Sequence, residues 1–146
     1  MKRIMLIVGT LTIIAFAGFY GLAASSKNGQ ALGIVDGRLS PCPSSPNCVS
    51  SEVDTQDDKK VSSFPLSAWP KLPAVVSSLG GTIRTQEDSY IAATFRTPLM
   101  GFVDDVEFRR ADDVVHVRSA SRVGHSDFGA NGKRVERIRS KLTPGQ

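Results

Sequence analysis

The chain has 146 residues, room for one domain and a short targeting segment. Its 18 Lys and Arg stand against 14 Asp and Glu, a balance without the dense basic patch that marks a nucleic-acid binder, so no nucleic-acid partner is expected. A hydrophobic content of 40% argues against wholesale disorder.

Lys2 and Arg3 precede an uncharged run from Ile4 to Ala24, 21 residues long. An α-helix needs roughly 20 apolar residues to cross a bilayer, whereas the apolar region of a signal peptide usually has about 7–15. The run is therefore expected as a membrane anchor over residues 4–24. Gly21, Ala23, Ala24 and Ser25 keep a cleaved signal peptide open as the alternative. No cysteine follows closely, which argues against a lipoprotein signal. Basic residues stay on the cytoplasmic side, so Lys2 and Arg3 send the rest of the chain across the membrane. The expected division is residues 1–26 as anchor or signal, 27–38 as tether, and 39–146 as one extracytoplasmic domain.

In LSPCPSSPNCVSS, Cys42 and Cys48 flank a proline-bearing turn segment. In an oxidising compartment such a pair is most simply a disulfide. A redox pair and a zinc site completed by His116 and His125 are the rivals. Redox chemistry favours Cys-x-x-Cys spacing, and zinc sites use tighter ligand pairs than these histidines offer. Neither a metal nor another cofactor is expected.

From Ala31 to Phe64 the chain is rich in Ser, Pro, Gly and Asp and should wrap the domain, with extended pieces near Ile34–Leu39 and Val61–Phe64. Thr55–Lys60 reads as a solvated loop. Leu72, Val75, Val76 and Leu79 form one apolar face of a short helix that starts at Pro70 or Pro73 and ends at Gly80–Gly81. Trp69 is expected as a core anchor.

Four strands follow: Thr82–Gln86, Tyr90–Arg96, Gly101–Arg110 and Val114–Ser121. Ile91, Ala93 and Phe95 should face inward. A turn at Ala111–Asp112 pairs Phe108 with Val115, Val106 with Val117 and Asp104 with Ser119 on one side. On the other, Glu107 meets His116 and Asp105 meets Arg118. A helix over Asn131–Leu142 carries the apolar stripe Val135, Ile138 and Leu142, beside a basic stripe of Lys133, Arg134, Arg137 and Lys141. That stripe is either a solvated face or a contact for anionic headgroups. The expected fold is α+β: a four-stranded antiparallel sheet covered by two helices, behind an N-terminal transmembrane or signal helix.

Asp104 shares the core face with Val106 and Phe108, so its charge needs a partner. Ser119, with Arg122 or a backbone N–H, is the expected set. Ser121, His125, Ser126 and Asp127 lack the elbow and spacing of a serine hydrolase. Gly124 and Gly129 have phosphate-loop spacing, but Ala130-Asn131 stands where Lys-Ser/Thr is required. A looser anion site at the helix N-terminus remains, with Arg118, Arg122 and Arg134 converging on it. Its rival is internal, with Asp127 capping the helix.

The stretches LSPCPSSPNCVSS, GFVDDVEF and VRSASRVGHSDFGANGKRVERIR, in that order, resemble the bacterial family catalogued as domain of unknown function 1499. The resemblance spans about Leu39 to Leu142. Its signature aligns with Cys42, Ser45, Pro46, Asn47 and Cys48, and with Asp104 and Asp105. It also aligns with Arg118, Ser119, Ser121, Arg122, Gly124, Ser126, Asp127, Gly129, Asn131, Arg134 and Val135. His125 stands where family members commonly have tyrosine, which weakens a general-base role. The resemblance implies a home in or beyond a membrane, here a bacterial periplasm, and supplies no activity.

The leading expectation is a non-catalytic envelope domain that binds a protein partner or a small anion through Asp105, Arg118, Ser121, Arg122 and Arg134. Asp104, Ser119, Asp127 and Asn131 are expected to brace the fold. The alternatives are an enzyme using Asp104 or Asp127 as acid or base, and a structural or membrane-apposed module.

Overall fold

The computed structural model describes residues 2–143, so the last three residues of the expected domain lie outside the described part. The side chains of the first six residues, Lys2 and Arg3 included, are likewise outside it. Helix α1, Lys2–Lys27, contains no proline and is followed by Asn28 and Gly29. Its stretch Ile7–Lys27 is long and apolar enough to cross a membrane. Ile7, Leu11, Phe16 and Phe19 are all more than half exposed, whereas Ala23 and Ser26 are buried against the domain.

Residues 27–38 cross the sheet rather than hanging free of it. They lead into a small hairpin, β1 (Ile34–Val35) with β2 (Arg38–Leu39). Strands β3 (Cys48–Ser50) and β4 (Phe64–Pro65) come next. A 3-10 turn over Leu66–Lys71 then feeds helix α2, Leu72–Ser78, with Pro73 in its first turn, where a missing N–H costs nothing. Strands β5 (Thr82–Gln86), β6 (Tyr90–Arg96), β7 (Val103–Arg110) and β8 (Val114–Ser121) precede helix α3, Ala130–Leu142.

The α+β class and the four long antiparallel strands agree with the expectation, but the sheet has six strands. Its order is β3-β8-β7-β6-β5, and β4 also pairs with β8. The two extra strands are short and occupy successive stretches of one edge: β3 lies along Arg118–Ala120 and β4 along Val114–Val115. The irregular segment before α2 therefore closes the sheet as well as wrapping it.

The β7–β8 register also differs. Ala111 N–H donates to Val114 O, so Asp112 and Asp113 form the turn. Phe108 now faces Val117, Val106 faces Ser119, Asp104 faces Ser121 and Glu107 faces Arg118. The shift is two residues, which changes every partner and leaves every face unchanged.

One face packs beneath α2 and α3. Leu72 and Val76 of α2, Val135 and Ile138 of α3, and Ile91, Ala93, Val106, Phe108 and Val117 of the sheet are buried together. Trp69 and Leu142 are partly buried at the rim of this core. Gly81 lets α2 lie this close: a Cβ there would stand 2.6 Å from Val76 and 2.7 Å from Phe95.

Candidate functional site

Polar groups on the core face form one knot around Asn131, whose side chain is fully buried. Its Oδ1 accepts from Ser119 Oγ and Arg134 Nη1, each at 2.6 Å. Its Nδ2 donates to Asn47 O, Ser121 Oγ and Asp127 Oδ2 at 3.0, 3.1 and 2.7 Å. Helix α3, strand β8 and the turn before β3 are thereby joined through one amide.

Asp104 finds its partner here. Arg134 Nη2 donates to Asp104 Oδ2 at 2.5 Å, and both side chains are buried. Ser119, expected opposite Asp104, instead faces Val106 and bonds to Asn131. Arg122, the other expected partner, lies on the opposite face. Arg134 is thus part of the buried side of α3, while Lys133, Arg137 and Lys141 remain exposed.

At the start of α3 the internal anion wins. Gly129 takes the N-cap position with φ 76. Asp127 reaches past it, accepting from Gly129 N–H at 3.0 Å and Asn131 N–H at 2.7 Å. These are the donors an external anion would need.

The opposite face is lined by carboxylates that meet cations or backbone amides. Glu107 is fully buried; it accepts from Arg118 Nη1 at 2.9 Å, Tyr90 Oη at 2.7 Å and Gly33 N–H at 2.7 Å. Burial, the hydrogen bond to Glu107, and the charges of Glu107 and Asp105 push the Tyr90 hydroxyl far above its ordinary range. The expected Glu107–His116 and Asp105–Arg118 pairs are replaced. His116 and Arg109 face one another across the strands and share Glu52, with Arg109 Nε at 2.9 Å and His116 Nδ1 at 3.7 Å. Burial would raise the Glu52 carboxyl, but bonds from Arg109 and the Leu39 amide, with the charge of His116, hold it below its ordinary value.

Asp105 receives Arg122 through two bonds, Nε to Oδ2 and Nη2 to Oδ1, both 2.7 Å. Arg122 Nη1 also donates to Ser26 O at 3.0 Å, and Ser26 Oγ accepts from Val103 N–H at 3.0 Å. This fastens the C-terminal end of α1 to β7 and favours it electrostatically, because a cation suits a helix C-terminus.

A cleft of about 590 Å³ opens beside this fastening, between residues 27–33 and the outer halves of β5 and β6. Asp105 and Arg122 line it, together with Lys27, Arg84, Arg96 and Tyr90. Lys27, Arg84 and Arg96 are exposed, and among the described residues none of the three is in an ion pair. Arg84 is steered inward by a bond from Nε to Thr94 Oγ1 at 3.0 Å. It follows core-facing Ile83 on the cleft side of β5, and the register shift between Ile83 and Thr85 brings Thr85 to the same face.

Of the residues expected to bind, Asp105 and Arg122 line the cleft. Arg118, Ser121 and Arg134 do not, and the three arginines do not converge. Asp104 and Asp127 lie away from the cleft, engaged with Arg134 and Asn131. Lys27, Arg84 and Arg96 were missed. Arg96 was within reach, because alternation puts Tyr90, Thr94 and Arg96 opposite Ile91, Ala93 and Phe95. Cys42 and Cys48 form a disulfide with Cα atoms 5.6 Å apart, within the bridgeable range. No group of three or more metal-ligating side chains is assembled among the described residues.

Fold and site together define a small α+β domain with an internally neutralised polar network, clasped to an apolar N-terminal helix. The chain matches the model described as "Protein of unknown function (DUF1499)" over residues 38–142. It belongs to this family, DUF1499. No curated protein matches the chain.

Proposed function

We propose that this chain is a membrane-anchored, extracytoplasmic domain that binds a small anion, without catalysis, in the cleft beside α1. The observation that carries the proposal is a contrast in charge. Away from the cleft, Arg109, Arg118 and Arg134 each hold a carboxylate, and at its edge Arg122 holds Asp105. Lys27, Arg84 and Arg96 hold none and border the same polar opening, where Glu87 is the one carboxylate outside an ion pair among the described residues. A solvated arginine is ordinary; several cations aimed at one cleft make a favourable field for an anion. The Tyr90 hydroxyl sits beside it and stays protonated. The apolar α1 supports anchoring, and the Cys42–Cys48 disulfide supports an oxidising compartment.

The test is thermal denaturation of the full chain in detergent, titrated with inorganic phosphate. The melting temperature should rise with phosphate. The double variant Arg84→Ala/Arg96→Ala should lose that rise, while Arg137→Ala on exposed α3 should keep it. An unchanged phosphate response in the double variant, or none in the parent chain, would overturn the reading.

A further inference from the structure

The β6–β7 connection, Thr97-Pro98-Leu99-Met100-Gly101-Phe102, carries no charge. Leu99 is 88% exposed. Met100 and Phe102 border an apolar groove whose other wall is Leu11, Ala15, Phe16 and Phe19 of α1. The tip thus runs alongside the very stretch of helix whose side chains face outward, and the two exposed apolar surfaces are continuous.

The tip also closes part of its own backbone. Thr97 N–H donates to Phe102 O at 2.9 Å, Gly101 N–H to Thr97 O at 3.0 Å, and Phe102 N–H to Thr97 Oγ1 at 3.0 Å. Pro98 has no N–H to satisfy. This matters because unpaired backbone groups are costly in hydrocarbon, a cost that the N–H groups of Leu99 and Met100 at the apex still carry. Arg96, at the base of the hairpin, and Lys27, at the end of α1, are exposed cations at the boundary of the apolar zone. Such residues belong at the headgroup level.

From these observations we infer that Pro98–Phe102 is a second membrane contact, inserted among phospholipid acyl chains next to α1. The inference rests on the reading of α1 as an anchor. With Ser26 fixed to Val103, a rise of about 1.5 Å per residue puts Phe19 and Phe16 roughly 10–15 Å along the helix from that point, inside a hydrocarbon core about 30 Å thick. The occupant is lipid because the groove wall is itself the surface an anchor presents to lipid. The cleft with Arg84 and Arg96 then opens at the depth of the phosphate groups.

The test uses brominated acyl chains as contact quenchers. The full chain has one tryptophan, so Trp69→Phe supplies a silent background. Four single-tryptophan variants are reconstituted in phosphatidylcholine liposomes: Leu99→Trp, Met100→Trp, Phe16→Trp in α1, and Asp112→Trp at the far end of β7. Leu99→Trp and Met100→Trp should lose emission in brominated lipid as Phe16→Trp does, while Asp112→Trp keeps it. Quenching of Phe16→Trp without either tip variant would overturn this inference and leave the anchor standing. No quenching at Phe16→Trp would overturn the anchor itself. Quenching of Asp112→Trp equal to that of the tip would also overturn the inference, since the contact would not be specific to this end.

Discussion

Arg122 grips Asp105 with two bonds of 2.7 Å and spends its third on the carbonyl of Ser26 at 3.0 Å. One guanidinium therefore neutralises a buried sheet carboxylate and closes the end of α1. Removing one partner of a buried pair leaves the other charge stranded, at about 3–5 kcal/mol. Arg122→Ala should therefore lower the urea stability of the full chain by about 3 kcal/mol, scaled down for the partial exposure of the arginine. Arg122→Lys should recover only part, since an ammonium cannot reproduce the paired geometry. Equal stabilities for the parent and alanine variants would refute the clasp.

Asn131 offers a second handle. Truncation to alanine strands the Ser119 hydroxyl hydrogen and one hydrogen of Arg134, in a site closed to water. Unsatisfied buried groups cost about 1–3 kcal/mol each, so Asn131→Ala should lose about 3 kcal/mol or more. Asn131→Asp should do no better, because its carboxylate would replace a donor 2.7 Å from Asp127. A loss under about 1 kcal/mol in denaturant titration would show that the knot contributes little.

Gly81→Ala tests the packing of α2 on the sheet. The new methyl would overlap Val76 and Phe95 at 2.6 and 2.7 Å. Overpacking of this kind costs about 1–3 kcal/mol. Phe95→Leu, harmful by itself, should reduce the added cost of Gly81→Ala in a double-mutant cycle. Strict additivity would mean the backbone had shifted instead.

Acid should weaken the domain partly through Glu52. Its folded carboxyl lies below the ordinary value of 4.5, so it binds a proton more readily in the unfolded chain. The stabilisation is complete above that value and drains away as pH falls through the lower folded value. In Glu52→Gln, stability should be lower near neutral pH and should fall less steeply on acidification below 4.5. Parallel stability–pH curves for the two proteins would contradict the assignment.

Much of the fold was legible because apolar periodicity survives small errors. Placing the turn at Ala111–Asp112 rather than Asp112–Asp113 shifted the register by an even number, so Asp104, Val106 and Phe108 kept the correct face. Partners are less forgiving, and Glu107 was assigned His116 in place of Arg118. Strand β3 escaped notice because three residues in a Ser- and Pro-rich segment have no period of their own; β8 defines them. Asn131 and Arg134 show a different gap. With Val135 and Ile138 they fall at i, i+3, i+4 and i+7, a full buried helix face. Half of that face is polar, and a search for apolar stripes passes over it. The cleft depends on where residues 27–33 cross the sheet, and no local pattern encodes that path.

The fastening of Ser26 to Val103 and Arg122 has a mechanical consequence. A domain on a flexible leader reorients freely above its anchor; here α1 and β7 must turn together. The tilt of a membrane span follows the thickness of the bilayer around it. Where α1 spans one, a thinner or thicker membrane would rotate the whole sheet and change the angle at which the cleft meets the lipid surface.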